Sequence, residues 1–320
     1  MIETPNIVYI LADDLGYGDL GCYGQKHFET PNIDRMAAEG MRFTQHYSGS
    51  TVCAPSRCAL MTGLHTGHTA VRDNEGPYGA MPLGPSDVTV AEVLKQAGYS
   101  TAVIGKWDMA GPDAEGIPNH HGFDYSFGFL HSSHAHNHYP DYLWRNGQKV
   151  VLEGNRNGRG DQYSHDLFTE EALEYIERER DRPFFLYLAY TLPHAELTVP
   201  EDSQNSYLGK FPEKPFEQKQ QWSPGVYNTQ ETPKAAFAGM ISRLDRDVGR
   251  LLAKLEGLGL DRDTLVIFTS DNGPHREGGA DPYFFNGSGP LRGIKRDLYE
   301  GGIRIPLIAR WPGRIEADTT

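Results

Sequence analysis

Cysteine and long apolar runs are both scarce in this chain. Its 320 residues include three cysteines, Cys22, Cys53 and Cys58, and no C-x-x-C pair. Neither a disulfide framework nor a cysteine-ligated zinc site is therefore expected. No apolar run reaches the ~18 residues of a membrane-spanning helix, so no span is expected. The first residues also lack a basic segment followed by an apolar one, so no signal peptide is visible, and localisation stays open.

Positive charge is outnumbered as well. The 30 lysines and arginines face 43 aspartates and glutamates, which gives a net charge of −13. Such an excess argues against nucleic acid as a partner. The same negative charge disfavours binding of an anionic small molecule, so a pocket for such a molecule must be locally basic. The sequence gives no indication of an oligomeric state.

Short apolar runs alternate with segments of helical periodicity. Buried strands are predicted at residues 7–11, 101–105, 184–190, 264–269 and 305–309. Helices are predicted at residues 30–39, 90–97, 167–180 and 235–258. The long stretches 108–165 and 193–234 are interpreted as loops around a site. This alternation predicts an α/β fold, with a mostly parallel sheet sandwiched by helices.

Acidic side chains follow two of the predicted strands. Asp13 and Asp14 come after the first strand, and Asp271 and Asn272 follow residues 264–269. In open parallel sheets, ligands gather at the carboxyl ends of strands, so these four side chains could converge. Three carboxylates and one amide oxygen suit Ca²⁺ or Mg²⁺ and not zinc. The alternative is that they form turns or helix caps.

The segment around Cys53 is the most informative part of the sequence. A buried cysteine alone is usually a small, inert hydrophobic residue. Here six residue types stand at fixed offsets, in Cys53-Ala54-Pro55-Ser56-Arg57 and Thr62-Gly63. This pattern resembles the signature of the type I, formylglycine-dependent sulfatases, arylsulfatase-like members of the alkaline-phosphatase superfamily. A helix is predicted to begin at Pro55, which would aim backbone N–H donors at the site.

The resemblance implies a modified nucleophile and one metal ion. In sulfatases a maturation enzyme oxidises the cysteine matched by Cys53 to Cα-formylglycine. One hydroxyl of its hydrate attacks sulfur, and the other, once deprotonated, ejects sulfate. Arg57 is expected to hold the nucleophile in its anionic form. The family binds one Ca²⁺, for which Mg²⁺ could substitute, through residues that match Asp13, Asp14, Asp271, Asn272 and an oxygen of the converted Cys53.

Three further residues match functional positions of the family. Lys106 follows a predicted strand, and Lys295 precedes the segment Glu300-Gly301-Gly302; both are expected to bind the sulfate. His194 also follows a strand and is expected to bind sulfate and to protonate the leaving oxygen, as a general acid does. Each could instead be a solvated lysine or a structural histidine.

The sequence departs from the family pattern at Asp108. Sulfatases usually carry Gly-Lys-Trp-His-Leu-Gly, with the histidine as the base that triggers sulfate release, and aspartate stands in its place here. Asp108 could act as that base, although it adds negative charge beside an anion, or it could point elsewhere. Residues 131–138 contain four histidines, and we predict that His136 replaces the missing one. A solvated loop or a transition-metal site are the alternatives for this segment.

The function predicted on these grounds is hydrolysis of an organic sulfate ester, with a sulfated carbohydrate preferred as the substrate. A phosphate or phosphonate ester hydrolase of the same superfamily is an alternative, and so is an inactive binder of sulfated glycans. The resemblance covers residues 1–320, which we interpret as the N-terminal catalytic domain of a sulfatase. The usual small C-terminal antiparallel subdomain is expected to be absent, as in a fragment or a shortened relative. Many members are periplasmic or secreted.

Overall fold

The computed structural model describes residues 4–74, 81–110, 116–218 and 227–320. Within these residues nine strands are present: β1 Asn6–Ala12, β2 Met41–Tyr47, β3 Ser100–Lys106, β4 Tyr125–Phe129, β5 Tyr142–Arg145, β6 Gln148–Val151, β7 Phe184–Ala189, β8 Thr264–Ser270 and β9 Arg304–Arg310. The α-helices of the same residues are α1 Pro31–Ala38, α2 Cys53–Thr62, α3 Val90–Gln96, α4 Ser132–Ala135, α5 Ser164–Glu179, α6 Glu201–Gln204, α7 Pro233–Gly257 and α8 Glu300–Ile303. None of these helices is long and apolar enough to cross a membrane.

All nine strands belong to one sheet, in the order β2-β9-β8-β1-β7-β3-β4-β5-β6. The central strands β8, β1, β7, β3 and β4 run parallel to one another. Antiparallel pairs lie at both ends of the sheet, where β9 joins β8 to β2 and where β5 joins β4 to β6. The predicted mixed, mostly parallel α/β sheet is therefore confirmed.

Helices cover both faces of the sheet. Successive residues of the central strands point to opposite faces, so each strand contributes side chains to two separate cores. Val8 and Ile10 of β1 belong to a core that also includes buried residues of α1, α5 and α7. Leu11 belongs to the core on the other face, with buried residues of α2 and α3. Helix α7 contributes the apolar stripe predicted from three- and four-residue spacing, and Ile241, Leu244 and Val248 are buried within it.

Two predictions of local structure were wrong. Residues 108–165 are not one long loop, since β4, β5 and β6 extend the sheet there. These strands are four or five residues long and lack a continuous apolar run, so their sequence carries little strand signal. Helix α2 also begins at Cys53 rather than at Pro55, so the thiol belongs to the first turn of the helix.

The topology brings charged residues to one edge of the sheet. Asp13 follows β1, Lys106 ends β3, His194 follows β7 and Asp271 follows β8, and these four strands are parallel neighbours. Gly105 allows β3 to pack closely against β7, because a Cβ atom at this position would lie 1.9 Å from the carbonyl oxygen of Ala189.

Candidate active site

Cys53 lies at the centre of the convergent strand ends. Its Sγ is 3.3 Å from Oδ1 of Asp13 and 3.7 Å from Oδ1 of Asp14, and the side chain is fully buried. Burial and the Asp13 carboxylate raise the pKa of the thiol well above its ordinary value. An unmodified Cys53 would therefore stay protonated and be a weak nucleophile. Cys53 belongs to the first turn of α2, so the positive end of the helix dipole lies next to its side chain.

The acidic residues beside Cys53 form one connected cluster. The backbone N–H of Asp14 donates to Oδ1 of Asp271 over 3.0 Å, and Nδ2 of Asn272 donates to Oδ1 of Asp14 over 2.7 Å. Burial alone would raise the pKa of Asp13, but the charges of Lys106, His194 and Arg57 hold it well below the ordinary value. The first loop and the loop after β8 thus meet, as the sequence predicts.

The donor atoms of this cluster fit a hard divalent cation. One oxygen or nitrogen or sulfur atom from each of Asp13, Asp14, Cys53 and His194 lies within 4.8 Å of the others. The side-chain amide oxygen Oδ1 of Asn272 is buried and has no hydrogen-bond partner among the described residues, which is costly unless a cation or water is bound. Oxygen donors predominate, so Ca²⁺ or Mg²⁺ suits the set better than a softer metal.

Arg57 is directed at the carboxylates. Its Nε and Nη2 donate to Oδ2 of Asp271 at 3.0 and 2.8 Å, and Nη2 lies 3.4 Å from Oδ2 of Asp13. Nη1 donates to the carbonyl oxygen of Lys106 over 2.7 Å. Burial and the Asp13 charge nevertheless raise the pKa of Asp271 to about 7, while Arg57 opposes the rise. Arg57 thus fixes the orientation of Asp271 in a fully buried ion pair.

Lys106 and Asp108 lie on the β3 side of the site. Nζ of Lys106 is 2.9 Å from Oδ2 of Asp13 and 3.3 Å from Oδ2 of Asp108. The hydroxyl of Ser132 donates to the other oxygen of Asp108. One Asp108 oxygen thus accepts a hydrogen bond from Ser132, while the other forms an ion pair with Lys106 and has no hydrogen-bond partner among the described residues.

Lys295 lies on the opposite side, between two carboxylates. Its Nζ is 2.6 Å from Oδ2 of Asp14 and 3.2 Å from Oε2 of Glu277. Burial opposes the charge of this ammonium, but Asp14 and Glu277 raise its pKa well above the ordinary value. With Lys106 and Arg57, Lys295 brings three buried cations to the site, although the carboxylates paired with them are more numerous, so the protein groups alone do not make the pocket basic as predicted.

His194 approaches Asp14 through Nε2, at 3.4 Å from Oδ2. Its Nδ1 is hydrogen-bonded to the carbonyl oxygen of Ala195. Burial and the charge of Lys295 lower the pKa of this imidazole well below its ordinary value. The ring of His136 stacks on that of His194, with centroids 4.9 Å apart and an interplanar angle of 12°.

The four histidines of residues 131–138 do not form a metal site. Of the described residues, two groups could hold a metal, Asp13-Asp14-Cys53-His194 and Asp14-His275-Glu277, and neither contains a histidine of this segment. His134 packs between Phe129 and Tyr142 instead. The segment is also not a freely solvated loop, because His138 is fully buried with Nε2 at 3.1 Å from the carbonyl oxygen of His194.

Two residues at the site escaped the sequence analysis. Glu277 pairs with Lys295 and also lies 3.6 Å from Nε2 of His194. The ring of Tyr227 lies 5.3 Å from that of His136, and its hydroxyl is 3.5 Å from Oε2 of Glu277. Glu277 follows Asp271 by six residues in the same loop, and that proximity is the only signal the sequence offers.

Comparison with known proteins agrees with this geometry. A family model described as Sulfatase matches residues 5–320. The chain is 34% identical to N-acetylgalactosamine-6-sulfatase of Rattus norvegicus, over 98% of this chain and 58% of that protein. It is 35% identical to arylsulfatase A of Homo sapiens, over 99% of this chain and 61% of that protein. The chain thus spans about three fifths of the length of these relatives.

A solved structure gives the same result. The crystal structure of Ps i-CgsB in complex with k-i-k-neocarrahexaose has a TM-score of 0.82 and 30% sequence identity with this chain. The match covers 99% of this chain and 68% of that one. The shared architecture therefore extends over nearly all of this chain.

Proposed function

Because the chain belongs to the sulfatase family, we propose that it is a sulfuric ester hydrolase that uses residue 53 as its nucleophile. One observation carries the proposal: Cys53 is the first residue of helix α2, and its Sγ lies 3.3 Å from Oδ1 of Asp13. Three buried cations, Arg57, Lys106 and Lys295, pair with the carboxylates around it. Such an arrangement combines oxygen ligands for a hard cation with ammonium and guanidinium groups that can bind a sulfate group.

The nucleophile of the proposal is the aldehyde hydrate made from Cys53 by a maturation enzyme that supplies the oxidant. One of its hydroxyl groups gives its proton to a neighbouring protein group and its oxygen forms a bond to sulfur, while the bond from sulfur to the leaving oxygen breaks and that oxygen takes up a proton. The second hydroxyl then gives its proton to a base, the carbonyl of residue 53 re-forms, and the first oxygen leaves with the sulfate. One water molecule restores the hydrate.

The acidic cluster is the expected place of the cation. Asp13, Asp14, Asp271 and Asn272 would hold one Ca²⁺, or Mg²⁺, together with an oxygen of residue 53. When bound, the ion lowers the pKa of a hydroxyl and polarises sulfate oxygens. Arg57 orients Asp271 and favours its ionised form, since two nitrogens of its guanidinium donate to that carboxylate.

Proton transfer is assigned to two histidines. His194 lies beside Lys295 and Asp14, and we infer that it protonates the leaving oxygen. Because burial and Lys295 hold its pKa well below the ordinary value, His194 is neutral at rest and has to take up the proton that it delivers. His136 is the proposed base for sulfate release, because its Nδ1 is buried without a hydrogen-bond partner among the described residues. Burial and the charges of Lys106 and Lys295 lower its pKa to about 4, so it is neutral and able to accept a proton at pH 7.

A sulfated carbohydrate is the substrate class we propose. The rat relative is named for N-acetylgalactosamine, and Ps i-CgsB binds k-i-k-neocarrahexaose. In this chain the rings of Tyr227 and His136 lie side by side next to His194, where they offer an aromatic surface to the alcohol part of the ester. Aromatic rings of this kind pack well against the apolar faces of sugars.

The test begins with the chemical state of residue 53. Protein produced together with a maturation enzyme should yield a peptide in which residue 53 has lost its sulfur and carries an aldehyde, as seen by mass spectrometry. The same material should hydrolyse 4-nitrophenyl sulfate faster than 4-nitrophenyl phosphate or a phosphonate monoester. An intact thiol in active protein would overturn the proposal.

The alternatives predict different results from the same assay. Faster turnover of the phosphate or the phosphonate would assign the chain to another esterase class of the superfamily. Binding of sulfated sugars by fully converted protein, with no turnover of any ester, would mark an inactive relative. Cys53→Ala serves as the background control in every assay.

A further inference from the structure

Glu277 joins three elements of the site that are distant in sequence. Its Oε2 lies 3.2 Å from Nζ of Lys295, 3.6 Å from Nε2 of His194 and 3.5 Å from the hydroxyl of Tyr227. Its Oε1 accepts a hydrogen bond from Arg296. One carboxylate thus touches both of the residues that we expect to handle the sulfate and its leaving oxygen.

The side chain of His275 fixes the loop that carries Glu277. Nδ1 of His275 accepts the backbone N–H of Glu277 over 3.1 Å. The other ring nitrogen of His275 lies 3.0 Å from the carbonyl oxygen of Pro193, next to His194 in the chain. Because one imidazole ties both segments together, Glu277 is held at a set distance from His194.

Glu277 is ionised in this position. Burial opposes its charge, but Lys295, His275 and Arg296 bring the pKa down to about 2. A fixed negative charge next to an anion-binding ammonium weakens the binding of sulfate in the ground state. Anion binding alone therefore gives no reason for a carboxylate at this point.

Positioning of Lys295 gives such a reason. A lysine ammonium is a point charge on a flexible four-carbon stem, so its direction depends on the partners that it meets. Asp14 is one of the two carboxylates that bond Lys295, and in the proposed function Asp14 also serves the metal ion. Glu277 contacts the ammonium from the other side at 3.2 Å, against 2.6 Å for Asp14, so that Nζ of Lys295 is held between the two carboxylates.

We propose that Glu277 is a positioning residue for sulfuryl transfer and acts through Lys295. The inference rests on the proposed function, in which Lys295 holds the sulfate during transfer. Interactions that count more in the transition state than in the ground state raise kcat without tightening substrate binding. Loss of the Glu277 charge should therefore lower kcat and leave KM unchanged or smaller.

The central experiment compares Glu277→Gln with the wild type on 4-nitrophenyl sulfate. We expect kcat to fall by about 10- to 100-fold, the effect of a misplaced catalytic group. KM should stay within about threefold of the wild-type value or decrease, because the pocket has lost a negative charge. Glu277→Asp keeps the charge and should recover at least half of the lost kcat on a logarithmic scale.

A matched control is available on α5. Glu171 also bonds a tyrosine hydroxyl and an arginine, Tyr125 and Arg145, and is largely buried. Its partners are on β4 and β5 and not at the active site. Glu171→Gln should therefore leave both kcat and KM at wild-type values, even if the thermal midpoint falls.

Two measurements separate this inference from the proposed function. The Kd of inorganic sulfate, measured by calorimetry, requires no turnover, and Glu277→Gln should bind sulfate at least as tightly as the wild type. In a crystal structure of that variant with sulfate, Nζ of Lys295 should have moved away from residue 277 while it keeps its contact with Asp14. Absence of sulfatase activity in the wild type would overturn the function and leave both of these results interpretable.

Three outcomes would overturn the inference. The first is an unchanged kcat in Glu277→Gln. The second is a parallel rise in KM and fall in kcat with weaker sulfate binding, which indicates a structural role. The third is an unmoved Lys295 in the variant structure.

Discussion

His136 stacks in parallel on His194, with ring centroids 4.9 Å apart. The stack brings an imidazole with a free buried nitrogen next to the expected general acid. Asp108, which stands where sulfatases usually carry a histidine, accepts a hydrogen bond from Ser132 and forms an ion pair with Lys106. We propose that His136, which arrives from a different loop, takes the role of the missing histidine.

The first prediction concerns this replacement. His136→Ala should lower kcat by about 100-fold, the contribution of a general base. With sulfate release slowed, the variant should show a burst of alcohol of about one equivalent before slow turnover. Asp108→Asn should lower kcat by less than about tenfold, because Lys106 keeps its ion pair with Asp13. Stopped-flow release of 4-nitrophenol measures both, with the exposed His120→Ala as the control.

Two results would contradict the assignment of His136 as the base. Full turnover in His136→Ala combined with an inactive Asp108→Ala would assign the base to Asp108. A low kcat in His136→Ala without a burst would place the defect before release of the alcohol.

The sequence predicts the centre of the fold because the central strands are buried on both faces. A parallel strand such as β8 is a continuous apolar run, and its carboxyl end must carry the next polar residues to one edge. The meeting of Asp14 with Asp271, 257 residues apart in the chain, follows from that rule. That rule requires only that the strands run parallel, and no knowledge of the side-chain contacts.

The rest of the site depends on contacts that no local pattern encodes. Strands β5 and β6 lie at the sheet edge and are partly exposed, so they lack the apolar run of a central strand. Glu277 follows no strand and belongs to no motif, and its role arises from its contacts with Lys295 and His194. Tertiary structure is required to find residues of this kind.

The second prediction concerns the nucleophile. Cys53→Ala should reduce turnover by about 10⁴-fold or more, as removal of a nucleophile does in other hydrolases. The thermal midpoint should change little, because one small side chain is lost at the start of α2. Cys22→Ala is the matched control, since Cys22 is partly exposed and lies on another loop, and it should keep wild-type kcat. Comparable activity in both variants would exclude residue 53 as the nucleophile.

The third prediction concerns the cation. Calcium at about 100 times its Kd should stabilise the folded protein by about 2.7 kcal/mol, because it binds the folded state only. Asp13→Asn and Asn272→Ala should reduce this stabilisation, and a chelator should abolish it in the wild type. Differential scanning calorimetry with and without Ca²⁺ provides the measurement. An equal calcium effect in both variants and the wild type would place the ion elsewhere.

The fourth prediction is a loss of stability in mild acid. Burial, His131 and Lys149 lower the pKa of His134 from 6.5 to about 4. The unfolded chain therefore binds a proton that the folded chain rejects when the pH lies between these values. His134 stabilises the fold fully above pH 6.5, and that contribution decreases as the pH falls toward 4, by about 1.4 kcal/mol per pH unit.

Urea unfolding between pH 4 and pH 7 tests this effect. His134→Gln, which does not titrate there, should show a smaller slope of unfolding free energy against pH than the wild type by about 1.4 kcal/mol per unit. The exposed His120→Gln is the matched control, and its slope should be compared over the same range. An identical slope in His134→Gln and the wild type would mean that His134 accepts its proton in the folded protein, as it does in the unfolded chain.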